Sequence, residues 1–165
     1  MNPFTEFPLA VRPAAEEDLD ALVALMRELA EYHAALHPAF EPHEEWEEVW
    51  REYIRSQLGG EEQIVLVAEW EGKPVGFANA SIIVRPAFKE GRRGSIHNLV
   101  VSEPFRRRGI GRLLTEALYE WFREKSVRLV ELEVAVQNTL GRRFWEGLGF
   151  EPLMLQMGKW LSDKP

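Results

Sequence analysis

Two glycines separated by one residue follow three consecutive arginines near the middle of this chain. The run reads Arg106-Arg107-Arg108-Gly109-Ile110-Gly111 and comes shortly after the apolar segment Leu99-Val100-Val101. The start of a helix offers backbone N–H groups without partners and the positive end of the helix dipole, which together bind phosphate. Glycine lets the backbone approach phosphate oxygens, and arginine adds charge and forked donors. The segment therefore predicts a site for a phosphate or pyrophosphate group.

The same segment does not match two well-known nucleotide sites. It is not a P-loop, because no Gly-Lys-Ser or Gly-Lys-Thr follows, and it has two of the three glycines of the dinucleotide-binding fingerprint. By itself, a basic glycine turn also occurs as an ordinary solvated connection between a strand and a helix. The segment indicates an anion site but leaves that structural alternative open.

A second segment adds a resemblance to a known family. The run of residues 106–111 matches the (Gln/Arg)-x-x-Gly-x-(Gly/Ala) signature of the GNAT family of N-acetyltransferases, where it also follows a strand. Downstream, Asn138 precedes Phe144-Trp145-Glu146-Gly147-Leu148-Gly149-Phe150, which is similar to the family's Asn, aromatic pair and closing Leu-Gly-Phe. The chain therefore resembles a GNAT acetyltransferase over residues 96–150, about a third of its length.

The resemblance implies transfer of an acetyl group from acetyl-CoA to a primary amine of a small molecule or peptide, by direct attack in a ternary complex and without a metal. It implies that the backbone amides of residues 106–111 hold the CoA pyrophosphate. Leu99, Val100 and Val101 would lie beside the pantetheine arm, with Leu99 and Val101 pairing through their main chain where the fourth and fifth strands separate. The amide near Val101 would polarise the thioester carbonyl. Asn138 would hydrogen-bond to the pantetheine, and Phe144 would pack beside it.

An alkylammonium with a pKa near ~10 must lose a proton before its nitrogen can attack, so a base is expected. Leu132-Glu133-Val134 is similar to a Leu-Glu-Val strand that carries the base in N-terminal acetyltransferases of ribosomal proteins, which makes Glu133 the first candidate. His97, on the strand before the glycine turn, is the second candidate because its ordinary pKa suits a base. A solvent-facing glutamate and a structural histidine remain the alternatives.

Two positions depart from relatives in the family. Histone-acetylating relatives carry a catalytic glutamate near the place of Ser95, whose side chain cannot serve as a base. Trp145 stands where the family usually has a tyrosine acid, and an indole N–H does not titrate in the working pH range. We therefore expect Trp145 to be part of a pocket wall or of the core, without an acid role.

The acceptor amine is expected beside the first two helices, as in the family. That part of the chain combines aromatic rings, histidines and carboxylates: Tyr32, His33, His37, Phe40, Glu44, Glu45, Trp46 and Trp50. Rings beside carboxylates suit a cationic amine. An amphipathic helix with solvated acids and buried tryptophans explains the same residues, so the acceptor stays open.

Composition narrows the class of protein. The 165 residues carry a net charge of −7 and no cysteine, which argues against general nucleic-acid binding and excludes disulfides and thiolate sites. Four scattered histidines make no metal set, and no apolar run approaches the ~20 residues of a membrane span. The expectation is one cytoplasmic domain over residues 1–165, with a homodimer possible through C-terminal strands as in many GNAT relatives.

Two other functions remain as alternatives. A non-catalytic acyl-CoA-binding or sensor module would explain the missing tyrosine. A nucleic-acid stripe along Arg85, Arg92, Arg93 and residues 106–108 is the less favoured one, because the rest of the chain is acidic.

Hydrophobic periodicity predicts the elements that position these residues. Apolar spacing of three and four residues indicates helices after residue 16, over 43–58, over 109–124 and over 138–147, and apolar runs indicate strands over 9–12, 64–68, 75–84, 96–101, 127–136 and from Phe150 onward. The order β-α-α-β-β-β-α-β-α-β predicts an α/β protein of the GNAT acyltransferase fold, with a mixed, mostly antiparallel sheet flanked by about four helices.

Overall fold

Strands rich in β-branched residues form the scaffold of the protein. The computed structural model describes residues 9–161, and within that range it contains a five-stranded sheet. In sheet order the strands are β1 (Leu9–Pro13), β2 (Gln63–Trp70), β3 (Lys73–Val84), β4 (Arg92–Val101) and β5 (Leu129–Leu132). The pairs from β1 to β4 are antiparallel and β4 pairs with β5 in parallel, which confirms the predicted mixed sheet.

Helices cover both faces of this sheet because its strands alternate apolar side chains between two buried faces. Helices α1 (Leu19–Leu36) and α2 (Trp46–Ser56) share a core with the β2–β4 side chains of one face, which includes Leu22, Ile54, Val67, Phe77 and Val100. Helix α3 (Ile110–Glu124) packs on the strands with its buried stripe of Ile110, Leu114, Leu118 and Phe122. None of the described helices is long and apolar enough to cross a membrane.

The chain divides into two compact units between Glu133 and Val134. The sheet and α1 to α3 belong to the first unit. Helix α4 (Thr139–Gly147) and residues 150–161 belong to the second. The expectation of a single domain over residues 1–165 stays a prediction.

A buried carboxylate fixes the start of α1. Asp18 accepts hydrogen bonds from Nη1 and Nη2 of Arg12 at 2.7 and 2.8 Å and from the backbone N–H of Ala15 at 2.8 Å. The bond to Arg12 lowers the pKa of Asp18 although burial opposes it. Helix α1 is therefore anchored to β1 at its first turn.

Several predicted boundaries are wrong. The strand predicted over 127–136 is limited to Leu129–Leu132, because β4 is irregular at His97 and the β4–β5 ladder ends there. The strand predicted from Phe150 does not form, since residues 150–161 pair with no neighbouring strand among the described residues. Helix α2 starts at Trp46 instead of residue 43, and β4 starts at Arg92 instead of residue 96.

Candidate active site

The turn after β4 contains two left-handed residues just before α3. A short 3-10 helix, Glu103–Phe105, leads from β4 into the turn, and φ is +60° at Arg107 and +81° at Gly109. Left-handed residues turn successive backbone N–H groups toward one side, which forms a concave nest for anions. Gly109 is the N-cap of α3 and supplies no side-chain cap, so the first N–H groups of a 15-residue helix keep their donor capacity. The phosphate site at this turn stays a prediction.

Two of the three arginine side chains in this turn bind groups of the protein itself. Arg106 donates from Nε to the carbonyl of Val101 at 2.9 Å and lies 3.6 Å from the carboxylate of Glu28 on α1. The guanidinium of Arg108 lies over the rings of Trp70 and Phe105, at 5.2 and 5.7 Å from their centroids. The backbone, more than these two side chains, therefore remains available to an anion.

The edge of β4 is open beside this turn. The parallel ladder to β5 ends at Ile96 and Leu132, and beyond these residues β4 forms no pair with β5 within the described part of the chain. A Cβ added at Gly76 of β3 would lie 2.8 Å from the carbonyl oxygen of Val100, so that carbonyl points toward β3. Because successive residues of a strand alternate their polar groups between its two edges, those of Leu99 and Val101 point to the open edge.

Val100 has a different place from its two neighbours. Its side chain is 4% exposed and belongs to the core that α1 and α2 cover. The residue therefore supports β4 from the core side while the main chain of Leu99 and Val101 faces outward. The resemblance predicts that CoA, an extended arm that ends in a pyrophosphate, lies along the backbone groups of β4 and the turn, and this assignment stays a prediction.

His97 is the extra residue of an irregularity in β4. Asn98 is opposite Asn79 and Ile96 is opposite Ala80, so His97 has no cross-strand partner in β3. A bulge of this kind redirects a side chain, and Nε2 of His97 lies 2.7 Å from Oγ of Ser81. The imidazole is thereby held on the sheet face that also carries Asn79 and Asn98.

A chain of hydrogen-bonded side-chain amides supports this bulge. Asn98 donates from Nδ2 to Oδ1 of Asn79 at 2.8 Å, and Asn79 donates to Oε1 of Gln57, the C-cap of α2, at 3.2 Å. Asn79 is fully buried and Gln57 nearly so. Since an unsatisfied buried amide is costly, this chain fixes the relative positions of α2, β3 and the bulge.

The charge of one predicted base, Glu133, affects the pKa of the other, His97. Partial burial lowers the pKa of His97, and the negative charge of Glu133 acts in the opposite direction. Glu133 follows the last residue of β5 and is exposed. A lowered pKa keeps the imidazole of His97 neutral near pH 7, which is the form that can accept a proton.

The neighbouring acid, Glu131, has a structural role. It accepts from Arg85 at 2.6 Å and from Arg93 at 2.9 Å, which ties the β3–β4 loop to β5. Arg92 pairs in turn with Glu62. These arginines are neutralised within the fold, which removes most of the basic stripe that a nucleic acid would need.

The predicted acceptor side contains a small aromatic cluster. The ring of Phe40 lies 6.0 Å from that of His33 and 5.8 Å from that of His37, and Tyr32 lies 6.0 Å from His33. Burial lowers the pKa of His33. Trp50 instead packs edge-on against Phe77 in the core, as the structural alternative predicted.

The remaining residues of that prediction lie at the beginning of α2. Glu44 and Glu45 are exposed, and Trp46 is partly buried as the first residue of the helix. The structure therefore separates the predicted acceptor set into an aromatic cluster before α2, two solvated acids and a core tryptophan.

In the second unit, Asn138 is the N-cap of α4. Its Oδ1 accepts from the backbone N–H of Gly141 at 2.8 Å, and the residue is 9% exposed. Trp145 lies between Phe144 and Phe150, with centroids at 4.9 and 5.3 Å, in edge-to-face contacts. Trp145 therefore belongs to an aromatic cluster, and the predicted contacts of Asn138 and Phe144 with pantetheine stay predictions.

Four residues that support this region were not predicted from the sequence: Glu28, Gln57, Asn79 and Ser81. The alternation of β3 gave one available signal, because Asn79 and Ser81 interrupt an apolar strand on a face that should be buried. Nothing in the sequence brings Glu28 to the turn after β4 or Gln57 to β3.

A family model and a curated relative both match this sequence. The Acetyltransferase (GNAT) family model matches residues 23–150. An uncharacterised N-acetyltransferase of Methanocaldococcus jannaschii is 29% identical over 92% of this chain, which spans only 64% of that relative's length.

Solved structures share the fold. A mutant form of a Bacillus halodurans protein superposes with a TM-score of 0.82 at 24% identity, covering 92% of this chain and 99% of that one. An aminoglycoside N-acetyltransferase solved in complex with CoA has a TM-score of 0.73 at 20% identity, covering 98% and 99%. The family match covers well over half of the sequence, and the chain belongs to the Acetyltransferase (GNAT) family.

Proposed function

We propose that this protein transfers an acetyl group from acetyl-CoA to a primary amine of a small molecule or peptide. The observation that carries the proposal is the uncapped start of α3 behind the left-handed residues Arg107 and Gly109, at the end of a strand with an open edge. A basic turn that served only as a connection would need neither feature. Acetyl-CoA would supply the activated acyl group, carried on a thioester.

The binding role falls to the main chain. The N–H groups of residues 106–111 would donate to the pyrophosphate, where the positive end of the α3 dipole stabilises negative charge. Leu99 and Val101 would pair with the pantetheine through the polar groups that they direct to the open edge of β4. The N–H of Val101 is then a donor for a carbonyl oxygen on which negative charge develops.

The amine nitrogen would bond to the acyl carbon as the C–S bond breaks, and the proton of the amine would go to His97. CoA would leave as the thiolate, which takes a proton from solvent. If Nε2–H donates to Oγ of Ser81, the tautomer leaves the lone pair of Nδ1 free to accept. The negative charge of Glu133 would stabilise the imidazolium that forms. Glu133 as the direct base, which the Leu-Glu-Val pattern indicates, is the competing assignment.

The acceptor class follows from charge. Exposed Glu44 and Glu45, together with the cluster of Tyr32, His33 and Phe40, suit a small molecule with more than one positive charge. The aminoglycoside substrate class of the structural neighbour is consistent with such an acceptor. A peptide N-terminus carries one such charge and would gain less from these acids.

The test combines binding with turnover. We expect CoA to bind to the wild-type protein in calorimetry, and free thiol to be released from acetyl-CoA at pH ~8 with one amine class of a panel. The panel contains polyamines, amino acids, aminoglycosides and N-terminal peptides. Binding without turnover on any amine would favour the acyl-CoA-binding module. Failure to bind CoA would contradict the proposal as a whole.

A further inference from the structure

One carboxylate of α1 contacts both ends of the 3-10 helix that follows β4. Oε1 of Glu28 accepts from Oγ of Ser102 at 2.8 Å, and Oε2 accepts from the backbone N–H of Glu103 at 3.2 Å. Oε2 also lies 3.6 Å from Nη2 of Arg106. Glu28 thus binds the beginning of the 3-10 helix and the residue that follows it.

The contact with Arg106 extends to the backbone of β4. The same guanidinium donates from Nε to the carbonyl of Val101. A carboxylate that neutralises and orients this guanidinium also orients the last peptide groups of the strand. Glu28 therefore connects α1 with Val101, with the 3-10 helix and with the start of the left-handed segment.

The turn needs such support because its own backbone is costly. Arg107 has a positive φ without being a glycine, and the residues from Glu103 to Gly109 are mostly exposed. A turn that is ordered only when an anion arrives has to lose its conformational freedom at that moment, which weakens binding. Contacts that order it beforehand strengthen binding without touching the ligand.

We propose that Glu28 is a positioning residue for CoA binding: its carboxylate preorganises the turn of residues 102–109 through Ser102, the N–H of Glu103 and Arg106. The inference rests on the proposed function, because it attributes part of the affinity of the same site for CoA to Glu28. Through these contacts α1, a helix that the resemblance assigns to the acceptor side, affects how tightly CoA binds.

The sign of the effect separates this inference from plain electrostatics. A carboxylate near a pyrophosphate repels it, so neutralising Glu28 would tighten CoA binding if charge alone acted. Preorganisation predicts the reverse. The exposed Glu31 on the same helix carries the same charge, and its charge acts on Arg27 in α1.

The experiment measures the dissociation constant of CoA by calorimetry for the wild type, Glu28→Gln and the matched control Glu31→Gln. Because the contacts of Glu28 are partly exposed, we expect the constant to rise roughly 3–10-fold in Glu28→Gln. We expect it to stay constant or fall slightly in Glu31→Gln. Ser102→Ala, which removes one contact without changing charge, should weaken binding by roughly two- to threefold.

Melting temperatures with and without CoA complete the test. In Glu28→Gln, the increase in melting temperature that CoA produces should shrink, as weaker binding requires. Unchanged or tighter CoA binding in Glu28→Gln overturns the inference. So does a variant that melts lower without ligand but binds CoA as the wild type does, because Glu28 is then only structural. Absence of CoA binding in the wild type would instead refute the proposed function.

Discussion

The carboxyl end of β4, with the turn after it, and the middle of β4, with the bulge at His97, have different proposed roles. At its carboxyl end, backbone N–H groups of one continuous segment form the proposed anion site around Gly109. In its middle, the bulge at His97 depends on side chains from β3 and α2, namely Ser81, Asn79 and Gln57. A backbone site needs only a local conformation, whereas a side-chain site needs the whole sheet in register.

The turn and the bulge also differ in the interactions that stabilise them. The turn is exposed and is held by charged groups such as Glu28 and Arg106, which solvent weakens. The bulge is held by a buried amide chain through Asn79, where a missing partner would cost about 1–3 kcal/mol. We infer that the bulge keeps a fixed geometry for proton transfer, and that the turn tolerates small adjustments to its ligand.

The largest expected effect is at the bulge. His97→Gln removes the proposed proton acceptor, so kcat should fall by roughly 10²–10⁴-fold. The dissociation constant of CoA should stay at the wild-type value, because the turn is unaffected. Steady-state kinetics with the best amine of the panel and calorimetry with CoA measure the two quantities.

The matched control for that variant is His43→Gln. His43 is an exposed histidine whose Nδ1 accepts from the backbone N–H of Glu45. Its kcat should match that of the wild type. If His97→Gln retains more than about a tenth of the activity, general-base catalysis by His97 is ruled out, because such catalysis contributes at least ~10²-fold.

The next effect is at the turn. Gly109→Val places a β-branched residue at a φ of +81°, which costs about 1–2 kcal/mol or more. The variant should bind CoA about tenfold more weakly, or worse, and should keep its kcat at saturating acetyl-CoA. Calorimetry with CoA and the KM for acetyl-CoA provide the measurement.

Gly72→Val provides the comparison for that strain. Gly72 also has a positive φ, +75°, and a Cβ there would meet nothing within 4 Å, as at Gly109. This variant should lose stability without losing CoA affinity. Equal losses of affinity in the two variants would show that general destabilisation, and not the turn, explains the result at Gly109.

The same contrast explains what the sequence could predict. The turn at residues 106–111 was predictable because glycine spacing acts on the local backbone, and the order of strands and helices up to α4 followed from periodicity. The bulge at His97 leaves no pattern of its own, and the bonds to Ser81 and from Glu28 to Ser102 join residues far apart in sequence. The strand expected from Phe150 failed for a related reason, since strand formation depends on a partner and not on composition alone.

The smallest effect tests how Glu133 acts on the bulge. Only neutral His97 can accept a proton, so kcat should fall on the acidic side as His97 becomes protonated. Partial burial lowers the pKa of His97 and Glu133 raises it, so Glu133→Gln should lower that pKa further. The acidic limb of the pH profile should then move to lower pH.

At pH ~8 both proteins have neutral His97, and kcat should fall in Glu133→Gln only by roughly two- to fivefold, the stabilisation that an exposed charge gives to the imidazolium. The profile of log kcat against pH, measured with the best amine, reports the shift. Loss of activity at every pH in Glu133→Gln would make Glu133 the base itself, and the carboxylate after β5, instead of the imidazole in the bulge, would then be the proton acceptor.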